Sequence, residues 1–339
     1  MKRKWTLLFI VFALLSLLLV GCGGKEAGGE AEGEKASEEK VYKMKLGHAN
    51  PPGDPKDVSA NYFADLVNER SDGRIQIEVF PGGTLGDWRE LVEGLSLGQN
   101  EIVIESIGTM NAYSDFANID AVPYLYRDFD HFTKVWKGEI GKEIMDKVGA
   151  DSNIQILGPQ YRGGRIVTSK KPFSNLEEIK GLDIRTPGID MYIETWKRLG
   201  ANPTPMALTE VYTGLQQGTV QAQENPLANS YDFGFHEVAP YLIMTNHVYS
   251  ASVFMFDQDY FNALPEDLQE IIKVAAEEAA DYRGQYVLDI EEEYLQKYID
   301  DGVEVIYPED TEIIAAFDGF VEEVFPYLSE TVERIRAVE

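Results

Sequence analysis

Cysteine is almost missing from this 339-residue chain: Cys22 stands alone, so no disulfide can staple the fold and a hydrophobic core must hold it. Length makes that feasible. A mature chain of about 300 residues buries roughly three quarters of its unfolded surface and usually divides into more than one lobe. Histidine is scarce too, with four residues and none at zinc-ligand spacing. Positive charge is short: 30 Lys and Arg face 58 Asp and Glu, for a formal net charge of -28. Such a surface repels nucleic acid and anionic lipid heads, which excludes both as partners. The chain also lacks G-x-S-x-G, H-E-x-x-H, a Walker-type phosphate loop and G-x-G-x-x-G, and the glycines at 23, 24, 28 and 29 belong to a linker. No catalytic residues, metal or cofactor are therefore expected.

Lys2, Arg3 and Lys4 precede an apolar run from Trp5 to Val20 that is too short for a comfortable membrane span. Leu19-Val20-Gly21-Cys22 follows, and small residues before a cysteine at the end of such a run look like a lipoprotein box. Residues 1–22 thus read as a lipoprotein signal peptide, with Cys22 as the lipid-bearing first residue of an exported, membrane-anchored chain. Residues 23–40 carry no large apolar side chain and read as a flexible acidic tether. Loss of Lys2, Arg3 and Lys4 lowers the net charge by three, to -31. A chain this negative that binds an anion must concentrate positive charge locally, so each arginine in a pocket-like position becomes informative.

The stretch from Gly181 to Pro226 reads as two strands bracketing two helices. Leu182 and Ile184 alternate against Asp183 and Arg185, and Pro187 stops the run, leaving Arg185 at a strand's end. Met191 to Leu199 has helical spacing closed by Gly200. Pro203 and Pro205 enforce an extended entry to a second helix, for which Thr209 is the expected cap and Gly218 the end. Val220 to Gln223 is strand-like again, and Asn225-Pro226 leaves a free amide at its tip. In open α/β sheets that edge binds small ligands. A guanidinium and an amide suit a carboxylate: a planar fork for its oxygens plus one neutral donor.

L-D-I-R-T-P, N-P-T-P-M-A-L-T-E-V-Y and Q-E-N-P resemble, at matching spacing, the solute-binding proteins of TRAP transporters, the DctP-like family. The resemblance extends from about Tyr42 to about Leu328. It implies a two-lobed, periplasmic-binding-protein-like α/β fold with a hinge, and an extracytoplasmic receptor that closes on a small organic acid. Such a receptor delivers its acid to the small and large membrane subunits of a TRAP permease. Arg185 would make a bidentate salt bridge to the ligand carboxylate, Arg165 matches the family arginine that also reaches it, and Asn225 would donate its amide. Arg162, in the same glycine-rich run as Arg165, reads as a solvated decoy. Glu105, near the end of the strand 101–106, is the expected acceptor for ligand hydroxyls, which leans the substrate toward sugar acids such as a uronate over C4-dicarboxylates. His48 and Asn50, in the turn after the first strand, are further candidates. Leu208 stands where the family places a bulkier apolar residue, which implies a roomier pocket, and Gln221-Ala222 replaces the family's usual Asp-Gly.

The expected lobe division is 41–162 plus about 251–290 for lobe I and 163–250 plus about 291–339 for lobe II, crossing at Gln160 to Thr168, where two glycines sit beside two arginines. Leu264-Pro265-Glu266 opens the longest helical pattern, running to about Ile299 and long enough to pass along both lobes. An organic-acid receptor serving an ATP-driven importer or a sensor would have the same cleft. An exported enzyme and a structural lipoprotein are the remaining alternatives.

Overall fold

A computed structural model describes residues 40–339; the signal segment, Cys22 and the tether up to residue 39 lie outside the described residues. Strands and helices alternate from the start: β1 (Tyr42–Gly47), α1 (Pro55–Arg70), β2 (Ile75–Phe80), α2 (Trp88–Ser96) and β3 (Ile102–Ser106). Two helices meeting at Gly138, α3 (Phe129–Lys137) and α4 (Glu139–Ser152), come next, followed by the long strand β4 (Ile154–Ser169). A second alternation comprises α5 (Leu176–Ile179), β5 (Asp183–Thr186), α6 (Asp190–Arg198), β6 (Asn202–Pro205), α7 (Val211–Gln217), β7 (Ala222–Pro226) and α8 (Leu227–Asp232). The chain returns through β8 (Tyr241–Ile243) and β9 (Tyr249–Asp257). It ends with α9 (Gln258–Asn262), α10 (Glu266–Asp300), β10 (Glu304–Ile306), α11 (Asp310–Ala315), α12 (Phe320–Val324) and α13 (Ser329–Arg336).

The strands run in the order β2-β1-β3-β9-β4-β7-β5-β6, with β8 also on β4 and β10 on β8. β4 joins the two lobes. From Ile154 to Gly164 it pairs with β9, with two register shifts, and from Arg165 onward it pairs with β7. β9 pairs with β3 and so closes the first lobe's sheet. The glycine-rich run 158–164 is thus strand rather than surface loop. Gly158 has φ +58, and a Cβ there would collide with the carbonyl oxygen of Ala276 on α10, so only glycine lets strand and helix approach so closely.

Without disulfides the core is aromatic and aliphatic: Phe63 stacks on Phe254 at 4.2 Å, and Trp136, Trp196 and Phe235 are fully buried. Helix α10 presents Ala275, Ala276, Ala279 and Ala280 to this core, small residues that admit a neighbouring backbone. Pro265 is its N-cap, and Thr209 does not cap α7, whose N-cap is Glu210 after a short 3-10 turn over Leu208–Glu210. The C-terminal segment touches elements both before and after β4. Arg198 of α6 bonds the Ala316 carbonyl and Glu323, whereas Arg334 of α13 pairs with Glu143 of α4, and His131 meets the Ile335 carbonyl. Across the cleft, Asp54 accepts from Asn229 Nδ2 (3.3 Å), Asp87 from the Leu208 N–H (3.0 Å) and Asn118 from the Met191 N–H (3.1 Å).

Candidate functional site

Strand ends of both lobes open on one cavity, lined among others by Lys56, Glu105, Arg162, Arg165, Arg185, Leu208 and Asn225. Arg185 is the last residue but one of β5 and is 2% exposed. Its Nε and Nη2 both donate to the Met206 carbonyl, at 2.9 and 2.6 Å, and among the described residues it makes no ion pair. Burial, with the like charge of Arg165, pushes its pKa down to about 10 against the partial support of Glu224 and Asp87. It is still a cation at neutral pH, without a counter-ion.

Arg165 is differently placed. Its guanidinium grips the Glu224 carboxylate through Nε and Nη2 (Nη2 to Oε1 2.7 Å), and Nη2 also reaches Asn225 Oδ1 at 3.1 Å. It lies over the Tyr192 ring, 4.7 Å from the centroid. His247 Nε2 meets the same carboxylate at 3.2 Å. Burial would raise the Glu224 pKa, but Arg165 and His247 outweigh it and hold the carboxyl down at about 2. The charge of Arg165 is therefore already matched inside the protein. Asn225 accepts from Arg165 and donates to Gln223 Oε1 at 2.7 Å, so its amide is oriented with one N–H left over.

Opposite stand Glu105 on β3 and Lys56 in the first turn of α1, paired at 2.5 Å and both buried. Glu105 also accepts from the Ser106 N–H. Burial raises its pKa, yet Lys56 and Arg162 more than offset that, leaving it below the ordinary value and ionised. Lys56 is shifted down by burial and by the nearby Arg162, against the pull of Glu105. Arg162, set aside as solvated from its glycine-rich surroundings, lines the cavity; its Nη1 is 3.4 Å from Ser250 Oγ and its buried Nε has no partner.

The structure brings together Arg185, Arg165, Asn225, Glu105 and Leu208. It gives His48 and Asn50 to α1 instead: His48 Nε2 meets Asp57 Oδ1 at 3.2 Å, Asn50 Nδ2 donates to Asp54 Oδ1 at 2.9 Å, and Asp54 caps the Lys56 N–H. Neither lines the cavity. Both buttress the turn that presents Lys56. Lys56, Asp87, Trp88, Tyr192 and Glu224 were not signalled by motif. Glu224 could have been found from Q-E-N-P, as the neighbour of Asn225 on the strand beside Arg165.

The sequence pattern of bacterial extracellular solute-binding protein family 7 (DctP) matches residues 46–328. The chain belongs to this family. The sialic acid-binding periplasmic protein SiaP of Vibrio cholerae is 31% identical to this family 7 protein over 266 residues, 78% of this chain and 83% of its own. Among solved structures, a TRAP periplasmic solute-binding protein from Roseobacter denitrificans with bound L-galactonate superposes with a TM-score of 0.83 at 30% identity, covering 87% of this chain and 99% of that one. A counterpart from Sulfurospirillum deleyianum with bound succinate gives 0.81 at 28% identity, covering 88% and 100%. This family 7 chain is therefore a TRAP-type solute-binding protein with the two-lobed fold, and its family is extracytoplasmic. Among the described residues no helix is long and apolar enough to cross a membrane.

Proposed function

We propose that the protein is the receptor of a TRAP-type secondary transporter that captures a small hydroxylated organic acid. The observation that carries the reading is Arg185: a buried guanidinium at a strand end, facing a cavity between lobes, with no carboxylate of its own. A ligand carboxylate supplies the missing counter-ion, and charge-assisted bonds of this kind contribute roughly 1.5 to 3 kcal/mol each. Asn225 donates its remaining N–H to the same group. Arg165, neutralised by Glu224, shapes this end of the site and contributes whatever donor its pairing leaves free. At the other end the Lys56–Glu105 pair offers a carboxylate acceptor and an ammonium donor to hydroxyls, which favours sugar acids over a second carboxylate. Leu208 supplies an apolar wall.

Lobe I (41–162 with about 251–290) and lobe II (163–250 with much of 291–339) close over the acid, turning at the β4 and β9 crossing. Cys22 carries a lipid that holds the receptor at the outer face of the membrane, and the closed form docks on the small and large permease subunits. The protein carries out no catalysis. Calorimetric titration with L-galactonate, D-glucuronate, D-erythronate and succinate tests the reading. Tight binding of a hydroxylated acid that is lost in Arg185→Ala is expected; absence of binding by every carboxylate would sink it. Acid uptake by vesicles holding the TRAP subunits, dependent on this protein and not on ATP, would separate this reading from an ATP-driven importer.

A further inference from the structure

Arg162 and Arg165 stand three residues apart on β4, yet both line the acid cavity. On a regular strand an odd separation sends two side chains to opposite faces. The register shows what brings them together. Tyr161 pairs with Ala251 and Gly164 with Tyr249, so Arg162 and Gly163 on β4 stand opposite the single residue Ser250 on β9. This is a β-bulge, and its extra residue shifts the alternation by one. Gly163 takes φ +86 there, and a Cβ on it would stand 3.3 Å from Val287 Cγ1. The bulge thus aims Arg162 into the same space as Arg165.

The guanidinium so placed is underused. Nη1 makes a long contact of 3.4 Å to Ser250 Oγ, Nε is buried without a partner, and Nη2 meets no acceptor among the described residues. Nε and Nη2 form one edge of the plane, the fork with which Arg165 holds both oxygens of Glu224. In Arg162 that fork is open. Charge is not what it lacks, because Lys56, Arg162 and Arg283 are set against Glu105, Asp120 and Asp54, three cations against three carboxylates. Burial raises Asp120 only to about 6, so it too is mostly ionised at neutral pH. A second full negative charge would find no unmatched cation here, whereas two neutral oxygens would satisfy an open pair of donors.

We propose that Arg162 reads two adjacent oxygens on the hydroxylated part of the ligand, holding a vicinal diol in its Nε–Nη2 fork while Arg185 holds the carboxylate. This rests on the acid-receptor reading above and narrows the ligand to polyhydroxy acids with hydroxyls on neighbouring carbons. The acid is then gripped by guanidiniums from different lobes: Arg162 comes from the part of β4 that pairs with β9, and Arg185 from β5 beside β7. Diol and carboxylate together bridge the cleft.

The test is calorimetric titration of the wild type, Arg162→Gln and Arg162→Lys with D-erythronate, L-galactonate, D-glucuronate, 2-hydroxybutanoate, meso-tartrate and succinate. 2-Hydroxybutanoate keeps the carboxylate and the first hydroxyl of erythronate but lacks the other two, and meso-tartrate replaces the last of them with a second carboxylate. The tightest of the three polyhydroxy acids is expected to bind the wild type about tenfold or more above 2-hydroxybutanoate and meso-tartrate. Both variants lose that advantage, while their affinity for 2-hydroxybutanoate stays within about threefold of the wild type. Lysine keeps the charge and loses the fork, so its failure to rescue shows that geometry is read. Ligand-free unfolding midpoints confirm that the variants are folded, and the wild-type ranking stands as a test without them. A wild type that binds 2-hydroxybutanoate, meso-tartrate or succinate as tightly as any polyhydroxy acid overturns the proposal. So does full rescue by lysine, a variant that leaves polyhydroxy-acid affinity unchanged, or one that weakens every acid by a common factor. Silence of the wild type toward all six acids would instead remove the acid-receptor reading itself.

Discussion

Arg185→Met separates the cost of the site from its use. The native state holds Arg185 with a pKa of about 10 against an ordinary 12.5, burial being the main cause. At about 1.4 kcal/mol per pKa unit, keeping this cation costs the folded protein about 3 kcal/mol. Because the folded pKa lies below the unfolded one, the cost is complete below pH 10 and vanishes as the pH rises from about 10 to 12.5. Methionine removes the charge and roughly fills the space, but forfeits the two bonds to the Met206 carbonyl, a loss of roughly 1.5 to 3 kcal/mol. The balance leaves the ligand-free variant as stable as the wild type, or about 1 kcal/mol more so, a rise of about 2 °C for a chain of this size. Acid affinity, deprived of a charge-assisted contact, falls by about ten- to 150-fold. Thermal unfolding reads both effects. Acid at a hundredfold excess over its wild-type dissociation constant adds about 2.7 kcal/mol to the wild type and about half of that or less to the variant. A ligand-free midpoint more than about 6 °C below the wild type would refute the reasoning, because Arg185 would then be a structural cation rather than one awaiting a counter-ion.

Glu224→Gln leaves the Arg165 charge buried and unmatched, and a loss of about 3 to 5 kcal/mol is expected in urea unfolding. With its pKa held at about 2, the stability that Glu224 contributes is full above the ordinary carboxyl value of 4.5 and is lost as the pH falls through about 2. Acid unfolding curves of wild type and variant should therefore converge at the low end. Asp232 runs the other way: burial, and then the charge of Asp54, raise its pKa to about 7 while Tyr294 donates to it. The native state consequently loses stability as the pH rises from about 4 through 7, and Asp232→Asn should flatten the midpoint-versus-pH curve between pH 5 and 8; an unchanged slope would rule this out. Glu105→Gln should weaken hydroxylated acids while leaving succinate unaffected or improved, as measured by competitive titration.

The alternation of strands and helices was legible because Pro, Gly and Asn mark its turns, and Arg185 and Asn225 were legible because their strands end at prolines two and one residues later. Arg162 was not. Two glycines beside it mimic a loop, whereas β4 runs unbroken through them, and the close approach of Val287 to Gly163 and of Asn246 and Tyr249 to Gly164 accounts for their small size. Lys56 and Trp88 reach the site from the first turns of helices whose docking is set by contacts remote in sequence, so no local pattern reports them. His48 and Asn50 were placed in the right loop, but which way a turn residue faces depends on the acidic groups of α1 that claim it.

Helix α10 has 35 residues, hence a length of about 52 Å, and packs against both β4 and α8. Long helices commonly curve with radii of about 60 to 100 Å. Over this length that is a change of direction of about 30° to 50°, shared among so many peptide units that each shifts by about one degree. Opening of the cleft by a few tens of degrees can thus be absorbed without breaking a single rung of its hydrogen-bond ladder. Gly284, near the middle of the helix, is the point along it where such a bend is most easily concentrated.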